Sequence, residues 1–190
     1  MIKFSILVPT VPSRLTSFYP RLITSLQDQV GSRQDIEILG FYDNKKRSVG
    51  LKRNALLNLA QGEFLTFIDD DDRIADDYIE SIMNTIYANP TADCIVFDCI
   101  TTINKTEKTT YSKYSIHYEY TEVGDQWRGK PAHTMVWKSS IAKKHMFPNM
   151  SNGEDVNWVV RACREIKNEV RIDKVLYYYD FNSQSTETRN

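Results

Sequence analysis

The chain has 190 residues, of which 41% are hydrophobic and 26% charged, a length and composition typical of one domain with a packed core. Its formal net charge of −1 provides no overall positive field, which argues against a nucleic-acid partner. No apolar run is long enough for a membrane span, and the N-terminal residues lack the apolar stretch of a signal peptide. Three cysteines without zinc-ligand spacing indicate reduced thiols, and we expect a cytoplasmic location.

Strand-like and helix-like segments alternate over the first half of the chain. Predicted strands, rich in β-branched and aromatic residues, cover residues 3–8, 35–42, 64–68 and 93–100. Predicted helices cover residues 18–30, 51–60 and 76–87. This alternation predicts an α/β domain with a mixed, mostly parallel central sheet flanked by helices.

The pattern changes after residue 100. Residues 101–120 are rich in Thr, Lys and Tyr, and we expect antiparallel strands or a hairpin there. Further strands are predicted over residues 132–138 and 174–179, and helices over residues 139–145 and 154–167. The last of these helices has Val156, Val159, Val160 and Cys163 on one face. The tail from residue 180 is polar and is predicted to be mobile. No internal repeat or linker divides the chain, so we expect a single domain over residues 1–190.

Four consecutive aspartates, Asp69, Asp70, Asp71 and Asp72, follow the predicted strand at residues 64–68. Four neighbouring carboxylates repel one another unless a cation lies among them. Carboxylate oxygens suit Mg²⁺ or Mn²⁺, which commonly bridge protein carboxylates and substrate phosphates. Because open α/β sheets bind ligands beyond the carboxyl ends of their strands, this position favours a metal–phosphate site over a solvated acidic turn.

Four features, in this order, resemble family 2 glycosyltransferases of the GT-A fold. They are S-I-L-V-P-T at residues 5–10, V-G-L-K-R-N at 49–54 with A-Q-G-E-F at 60–64, F-I-D-D-D-D at 67–72, and N-G-E-D-V-N-W-V-V-R at 152–161. The resemblance covers roughly residues 5–179. It implies one Rossmann-like GT-A domain, in which residues 1–100 bind a nucleotide sugar and residues 101–180 bind the acceptor.

The same resemblance implies a reaction. A metal-dependent, inverting enzyme of hexosyltransferase type would move a sugar from a UDP-sugar, UDP-glucose or similar, to a hydroxyl of a glycan or glycoprotein acceptor. The expected cofactor is Mn²⁺ or Mg²⁺, which neutralises the charge that develops on the departing diphosphate.

The resemblance assigns the acidic run to the metal and the donor. Asp71 matches the last acidic position of the family's Asp-X-Asp motif and is the expected metal ligand. Asp69 would bind the ribose or assist the metal. Asp70 is open to either role, because four aspartates in a row leave the register ambiguous by one position. Asp72 is either a site residue or part of a helix N-cap or solvated turn.

Contacts to the nucleobase and diphosphate are expected near the ends of the first two strands. Asp43 would accept the N3–H of uracil and so select uridine; an ordinary turn aspartate is the alternative. The cations Lys52 and Arg53, with Asn54, would face the base or the diphosphate, or lie on an exposed helix face. Three more candidates for this pocket are Pro9, Thr10 and Arg14.

Glu154 and Asp155 begin the predicted helix at residues 154–167 and are the candidates for the catalytic base. The resemblance assigns the base to Asp155, which would remove the proton of the acceptor hydroxyl, and has Glu154 bind the acceptor or sugar hydroxyls. Alternatively the pair caps the helix, where acidic residues are favoured anyway. His133 either completes the metal shell, as a histidine does in some GT-A enzymes, or is a packed residue. Trp127, in the loop-like V-G-D-Q-W-R-G-K, is a candidate for acceptor binding.

The region between the acidic motifs, residues 101–149, matches no motif. Its tyrosine-rich part, residues 111–120, is a further candidate for the acceptor site, whereas Trp158 is expected in the core because of its helical spacing. The chain is short for the family, so it is either a minimal transferase or one domain of a larger polypeptide. It also resembles a virus-encoded capsid-glycan transferase domain, which would place it in the cytoplasm of the host.

Two other functions remain open. A nucleotidyltransferase that forms nucleotide sugars would need a Gly-rich phosphate loop after the first strand, where this chain has V-P-T-V-P-S-R at residues 8–14. A non-catalytic module that binds sugar nucleotides would have lost an acidic motif, and both motifs are present.

Overall fold

The computed structural model describes residues 1–104 and 108–181, with the side chain of Lys108 left out, and every structural statement below refers to this part of the chain. Most of the predicted mobile tail, residues 182–190, lies outside the described residues. Asp180 and Phe181 do not belong to a free tail, because they are the end of the last strand.

The described residues form one mixed sheet with helices packed against it. Its strands are β1 (Phe4–Thr10), β2 (Ile36–Tyr42), β3 (Phe64–Phe67), β4 (Arg73–Ile74), β5 (Cys94–Ile103), β6 (Lys108–Tyr114), β7 (Thr121–Val123), β8 (Gln126–Gly129), β9 (Val136–Lys138) and β10 (Glu169–Phe181). The α-helices are α1 (Phe18–Val30), α2 (Val49–Leu59), α3 (Tyr78–Ala88), α4 (Ser139–Ala142) and α5 (Glu154–Ala162). Single 3₁₀ turns lie at Pro12–Arg14 and Cys163–Glu165.

The sheet has the order β2-β1-β3-β9-β5-β6-β8-β7, and β10 pairs with both β4 and β5. β1 runs parallel to β2 and β3, and β5 runs parallel to β10. The mixed sheet is as predicted, but parallel pairing does not extend across it. β9 lies between β3 and β5 and pairs antiparallel with both. The chain reaches β9 after it has formed β6, β7 and β8 at one end of the sheet.

The core explains why the first strands have nearly continuous apolar sequences. β1 and β3 are buried along their whole length, which is the pattern of strands covered on both faces. An aromatic cluster forms another part of the core, in which the ring of Trp158 of α5 lies 4.9 Å from the rings of both Trp137 and Phe147. The prediction that Trp158 belongs to the core is therefore confirmed.

Several element boundaries differ from the sequence prediction. α5 ends at Ala162 and continues only as a 3₁₀ turn, whereas β10 begins at Glu169 and is longer than the predicted strand. The apolar face of α5 also differs, since Val156 and Val160 are exposed while Trp158 is buried. The expected hairpin after residue 100 is present as β5 and β6, paired antiparallel.

The structure bears on the state of the cysteines and on membrane-spanning helices. All three cysteines are free thiols, and Cys94 and Cys99 are buried. Among the described residues, no helix combines the length and apolar character needed to cross a membrane.

Candidate functional site

The carboxyl ends of β1 and β3, the starts of α2 and α5, and the end of β10 surround two adjoining cavities. The small cavity has a volume of about 130 Å³ and is lined by Pro9, Thr10, Val11, Arg14, Val49, Lys52, Arg53, Asp69, Asp70, Asp71, Glu154 and Tyr179. The large cavity has a volume of about 440 Å³, and its walls include Tyr114, Tyr120, Trp127, Lys130, His133, Asp155 and Tyr177. Arg53, Asp69, Glu154 and Tyr179 line both cavities. The two acidic motifs thus meet at a shared wall.

Asp70 fixes the loop after β1 against the acidic run. Thr10 donates its hydroxyl to one Asp70 carboxylate oxygen at 2.5 Å, and Arg14 donates to the other at 2.5 Å. Burial raises the pKa of Asp70, and the hydrogen bond from Thr10 and the charge of Arg14 oppose that rise. Because both oxygens are already engaged by protein groups, Asp70 is better placed to hold this loop than to bind a ligand.

Arg14 also reaches the next aspartate, since its second terminal nitrogen lies 2.9 Å from the Asp71 carboxylate. Burial raises the pKa of Asp71 and the charge of Arg14 lowers it, but the charges of Asp69 and Asp70 raise it again, and the net shift is upward. A cation beside Asp71 would relieve this repulsion.

Asp72 is neither the solvated turn nor the helix cap that was considered from the sequence. Only 1% of it is exposed, and its carboxylate accepts the Tyr177 hydroxyl at 2.5 Å and the Asp180 backbone N–H at 3.2 Å. Burial, reinforced by the charges of Asp69 and Asp71, raises its pKa well above the usual range. Asp72 therefore joins the acidic run to β10.

Arg53 lies at the centre of the shared wall. It donates to Asp69 at 2.9 Å and to Glu154 at 3.3 Å, so it joins the two acidic motifs through a single guanidinium group. That group packs over the rings of Phe67 and Phe147, at 5.2 and 5.8 Å. The alternative of an exposed helix face does not hold for Arg53, which is only 3% exposed. Its Nη1 atom is buried without a hydrogen-bond partner.

His133 lies between the two acidic motifs on the side of the large cavity. Its Nδ1 is 3.3 Å from Asp155 Oδ2, and its Nε2 is 3.5 Å from Asp69 Oδ2 without forming a hydrogen bond. Both ring nitrogens therefore face carboxylates. A role for His133 as a metal ligand stays a prediction, because the described contacts are those of a bridge between Asp69 and Asp155.

Asp43 lines neither cavity but forms an ion pair with Lys52, which does line the small cavity. Asp43 accepts the backbone N–H of Arg47 at 3.1 Å through one oxygen. Its other oxygen, Oδ1, is buried without a hydrogen bond and lies 3.9 Å from Lys52 Nζ. Lys52 is buried rather than exposed, and it donates to the Thr10 carbonyl at 3.3 Å. An acceptor is thus available at Asp43 beside the loop after β1.

Asn54 is not brought into either cavity. Its amide nitrogen donates to the Phe147 carbonyl at 2.9 Å, and its amide oxygen accepts the Phe147 backbone N–H at 2.7 Å. This reciprocal pair joins α2 to the segment that precedes α5. The geometry gives Asn54 a structural role, in contrast to the donor contact that the resemblance implied.

Trp127 lies in the large cavity, as expected of an acceptor-site residue, although it belongs to β8 and not to a loop. Its ring packs against Tyr114 and Tyr120, with centroids 5.5 and 5.6 Å away. Two residues of the tyrosine-rich segment therefore line the cavity.

Sequence reasoning missed Tyr177 and Tyr179, which line the large cavity from β10. Burial, with the charges of Asp72 and Asp69, raises the pKa of Tyr179 to about 12, so its hydroxyl remains a hydrogen-bond donor. The available signal was their spacing, since residues two apart in a strand share a face.

The residues present fit a divalent cation that is shared with a ligand. Asp69 and Asp71 both line the small cavity, and their side chains are 28% and 22% exposed. Within the described ranges no three His, Cys, Asp or Glu side chains are grouped to hold a metal by themselves. Mg²⁺ that binds with a substrate is usually held by one or two carboxylates plus substrate phosphates, and Asp69 with Asp71 provides such a pair.

Comparison with known proteins supports the fold. A family model described as glycosyl transferase family 2 matches residues 23–150. This range includes the four aspartates and ends before Asp155, so the role of Asp155 stays a prediction. No curated protein sequence matches the chain.

Several solved structures share the fold. Staphylococcus aureus TarS 1-349 has a TM-score of 0.73 at 19% identity, covering 94% of this chain and 60% of that chain. The same fragment in complex with UDP gives 0.69 at 19% identity, covering 95% and 61%. Its complex with UDP-GlcNAc gives 0.64 at 18% identity, covering 95% and 59%. The chain is thus markedly shorter than these structures, and the likeness confirms the predicted GT-A type of α/β fold. A viral origin stays a prediction.

Proposed function

The chain belongs to glycosyl transferase family 2, and on this basis we propose that it transfers a sugar from a UDP-sugar to a hydroxyl group with inversion at the anomeric carbon. The observation that carries this proposal is the shared wall between the two cavities, where Asp69 and Glu154 are both bonded to Arg53. A donor diphosphate in the small cavity and an acceptor in the large one would meet at that wall.

The donor would occupy the small cavity with its base toward Asp43. The buried Oδ1 of Asp43 has no hydrogen bond, and a buried acceptor without a donor is costly. The N3–H of uracil would supply that donor. UDP and UDP-GlcNAc appear in the matched TarS structures, which supports a uridine nucleotide for this chain as well.

The diphosphate would lie between the carboxylates of Asp69 and Asp71 and the cations around them. Mn²⁺ or Mg²⁺, when bound by Asp69 and Asp71, would neutralise the negative charge of the departing UDP. The buried, unpartnered Nη1 of Arg53 is a second positive group, positioned to donate to a phosphate oxygen. Donors held rigidly where charge develops lower the barrier without reorganisation.

The acceptor would enter the large cavity, where Asp155 is positioned to act as a base. In the transfer, the acceptor oxygen forms a bond to the anomeric carbon while the bond from that carbon to the UDP oxygen breaks. The hydroxyl proton passes to Asp155, and UDP leaves with the bonding electrons. Glu154 is held by Arg53 at 3.3 Å and would bind sugar hydroxyls.

Calorimetric titration tests the donor half of this proposal. We expect UDP to bind in the presence of MnCl₂ and to bind much more weakly with EDTA. UDP release from UDP-glucose and UDP-GlcNAc, measured with and without acceptor, then tests the transfer. A protein that binds UDP equally well without metal, and releases none from either sugar nucleotide, would contradict the proposal.

A further inference from the structure

Each of the two carboxylates assigned to the divalent cation is paired with an arginine. Asp71 lies 2.9 Å from Nη2 of Arg14, and Asp69 lies 2.9 Å from Nη2 of Arg53. A divalent cation that approaches these carboxylates therefore meets two positive charges that already occupy them, and like charges repel strongly over such short distances. Tight binding of the cation requires that at least one of these arginines finds another partner.

Arg14 is bonded to two neighbouring carboxylates that differ in burial. Its Nη1 donates to Asp70 at 2.5 Å, and its Nη2 donates to Asp71 at 2.9 Å. The Asp70 side chain is 3% exposed, whereas that of Asp71 is 22% exposed. A buried ion pair is costly to break, but a pair that is reached by solvent contributes much less. Arg14 is therefore able to exchange its partner at Asp71 while it keeps the one at Asp70.

The backbone of the acidic run is held by a different arginine. Arg21 of α1 donates to the backbone carbonyls of Asp71 and Asp72, at 2.8 and 2.9 Å. These bonds reach carbonyl oxygens and not the Asp71 carboxylate. The guanidinium groups of Arg14 and Arg21 both lie near the ring of Phe18, at 5.4 and 5.6 Å from its centroid. An exchange of partners by Arg14 is thus confined to side chains, with this backbone in place.

The small cavity provides the alternative partner. Arg14 and Asp71 line this cavity together, and in the proposed function it holds the diphosphate of UDP. A guanidinium group binds phosphate oxygens through charge-assisted hydrogen bonds, often two at once. A diphosphate in this cavity would therefore offer acceptors to Arg14 in place of the Asp71 carboxylate, and Asp71 would become available to a cation.

We propose that Arg14 is a positioning residue that keeps Asp71 paired until the nucleotide binds, an inference that rests on the proposed transferase function. Without nucleotide, the Arg14 guanidinium occupies Asp71 and opposes the binding of a free divalent cation. When UDP binds, Arg14 keeps its bond to Asp70 and moves its other terminal nitrogen to the diphosphate. Asp71 then holds the cation, so Arg14 couples metal binding to nucleotide binding.

Binding of Mn²⁺ can be measured without any reaction, because the EPR signal of free Mn²⁺ is lost when the protein binds the ion. Arg14→Gln should bind Mn²⁺ alone at least about tenfold more tightly than the native protein does. The same variant should bind UDP more weakly at saturating MnCl₂, measured by calorimetry. These changes have opposite signs, whereas loss of a merely structural residue would weaken both.

Arg21→Gln is the matched control for charge. It removes one positive charge close to the same aspartates, from an exposed side chain that is bonded to carbonyl oxygens. Its affinity for Mn²⁺ alone should stay within about twofold of the native value, because exposed charges are screened by solvent and salt. A gain as large as that of Arg14→Gln would reduce the effect to net charge and overturn the proposal.

A double variant guards against a failure to fold. Arg14→Gln alone leaves the buried Asp70 carboxylate without its cation, and this is the main threat to stability. Arg14→Gln combined with Asp70→Asn removes both partners and leaves the net charge of the site unchanged. It should still bind Mn²⁺ alone more tightly than the native protein, because Asp71 is no longer occupied by Arg14. An unchanged or weaker affinity in the folded double variant would contradict the proposal.

The outcomes separate the two levels of inference. Mn²⁺ and UDP must enhance the binding of each other by the same factor. If they do not do so in the native protein, the proposed function itself is contradicted. If they do, but Arg14→Gln and the double variant gain no affinity for Mn²⁺ alone, the role of Arg14 is overturned and the donor assignment survives. The expected result is mutual enhancement in the native protein that becomes smaller in Arg14→Gln.

Discussion

His133 Nδ1 lies 3.3 Å from Asp155 Oδ2, so the proposed base is oriented by a buried imidazole. Burial would raise the pKa of Asp155, but the hydrogen bond and charge of His133 outweigh it, and the pKa is lowered well below its usual range. Burial and the charge of Arg53 would lower the pKa of His133, whereas its contacts with Asp155 and Asp69 raise it overall. The pair therefore favours a charged imidazolium beside an ionised carboxylate.

Replacing the base should separate transfer from donor binding. We expect Asp155→Asn to lower the rate of transfer by about 10²–10⁴, because a positioned base usually contributes that much. UDP affinity should stay near the native value, since Asp155 faces the large cavity and not the small one. The melting temperature should fall, because the buried His133 loses the ionised carboxylate that stabilises its charge. The measurements are a transfer assay, calorimetry with UDP and a thermal melt.

Glu154→Gln is the matched control, because it removes the neighbouring carboxylate and preserves its shape. Glu154→Gln should lower the rate of transfer to the acceptor by a smaller factor than Asp155→Asn does. Full activity in Asp155→Asn would move the role of base to another residue, and NMR of a product with retained anomeric configuration would remove the need for such a base.

His133 can be tested as an orienting group. His133→Gln should lower the transfer rate and leave the metal dependence of UDP binding unchanged, because its described contacts orient Asp155. If His133 is instead a metal ligand, the same variant should weaken UDP binding in MnCl₂ and leave metal-free binding unaltered. Calorimetry with and without EDTA distinguishes the two results.

The metal assignment is tested at Asp71. Asp71→Ala should abolish the contribution of Mn²⁺ to UDP binding, since it removes one of the two carboxylates that line the small cavity with partial exposure. Asp28→Ala, an exposed change on α1, is the control and should bind UDP normally. Unchanged affinity and unchanged metal dependence in Asp71→Ala would show that the ligand lies elsewhere.

Base selectivity depends on Asp43. Native protein should bind UDP more tightly than CDP or ADP, because cytosine lacks an N3–H to donate to the buried Oδ1 of Asp43. Asp43→Ala should bind the three nucleotides with similar affinity, and competition titrations would measure this. Equal affinities in the native protein would contradict the uridine assignment.

The sequence predicts much of the fold because local signals are strong where they occur. Helix α1 spans the predicted residues 18–30, where the amphipathic spacing is regular. Asp69 stands out because four consecutive aspartates follow a strand, whereas Asp155 is assigned by the family resemblance, since acidic residues are favoured at helix starts anyway. The structure brings Asp69 and Asp155 to the wall of one cavity.

The sequence does not predict which residues will make contact when they lie far apart along the chain. Tyr177 and Asp180 bind Asp72 from the last strand, and no local pattern indicates which element a distant strand will meet. The helical face of α5 was predicted wrongly for a related reason. Valines at regular spacing suggested one face, but the space beside Trp137 and Phe147 is filled by Trp158, and packing outweighs periodicity.

Asn54 provides a decisive case, because the family resemblance and the geometry predict different outcomes for one substitution. Asn54→Ala removes both hydrogen bonds to the Phe147 backbone and leaves a buried N–H and C=O unpaired. Each such loss costs about 1–3 kcal/mol, and in a chain of this size 1 kcal/mol lowers the melting temperature by roughly 2–4 °C. We therefore expect a clear fall in melting temperature, with Asn58→Ala on the exposed face of α2 as the control.

Below its melting temperature, Asn54→Ala should bind UDP with native affinity, because the Asn54 side chain lines neither cavity. A variant that melts normally and loses UDP binding would restore Asn54 to the donor site.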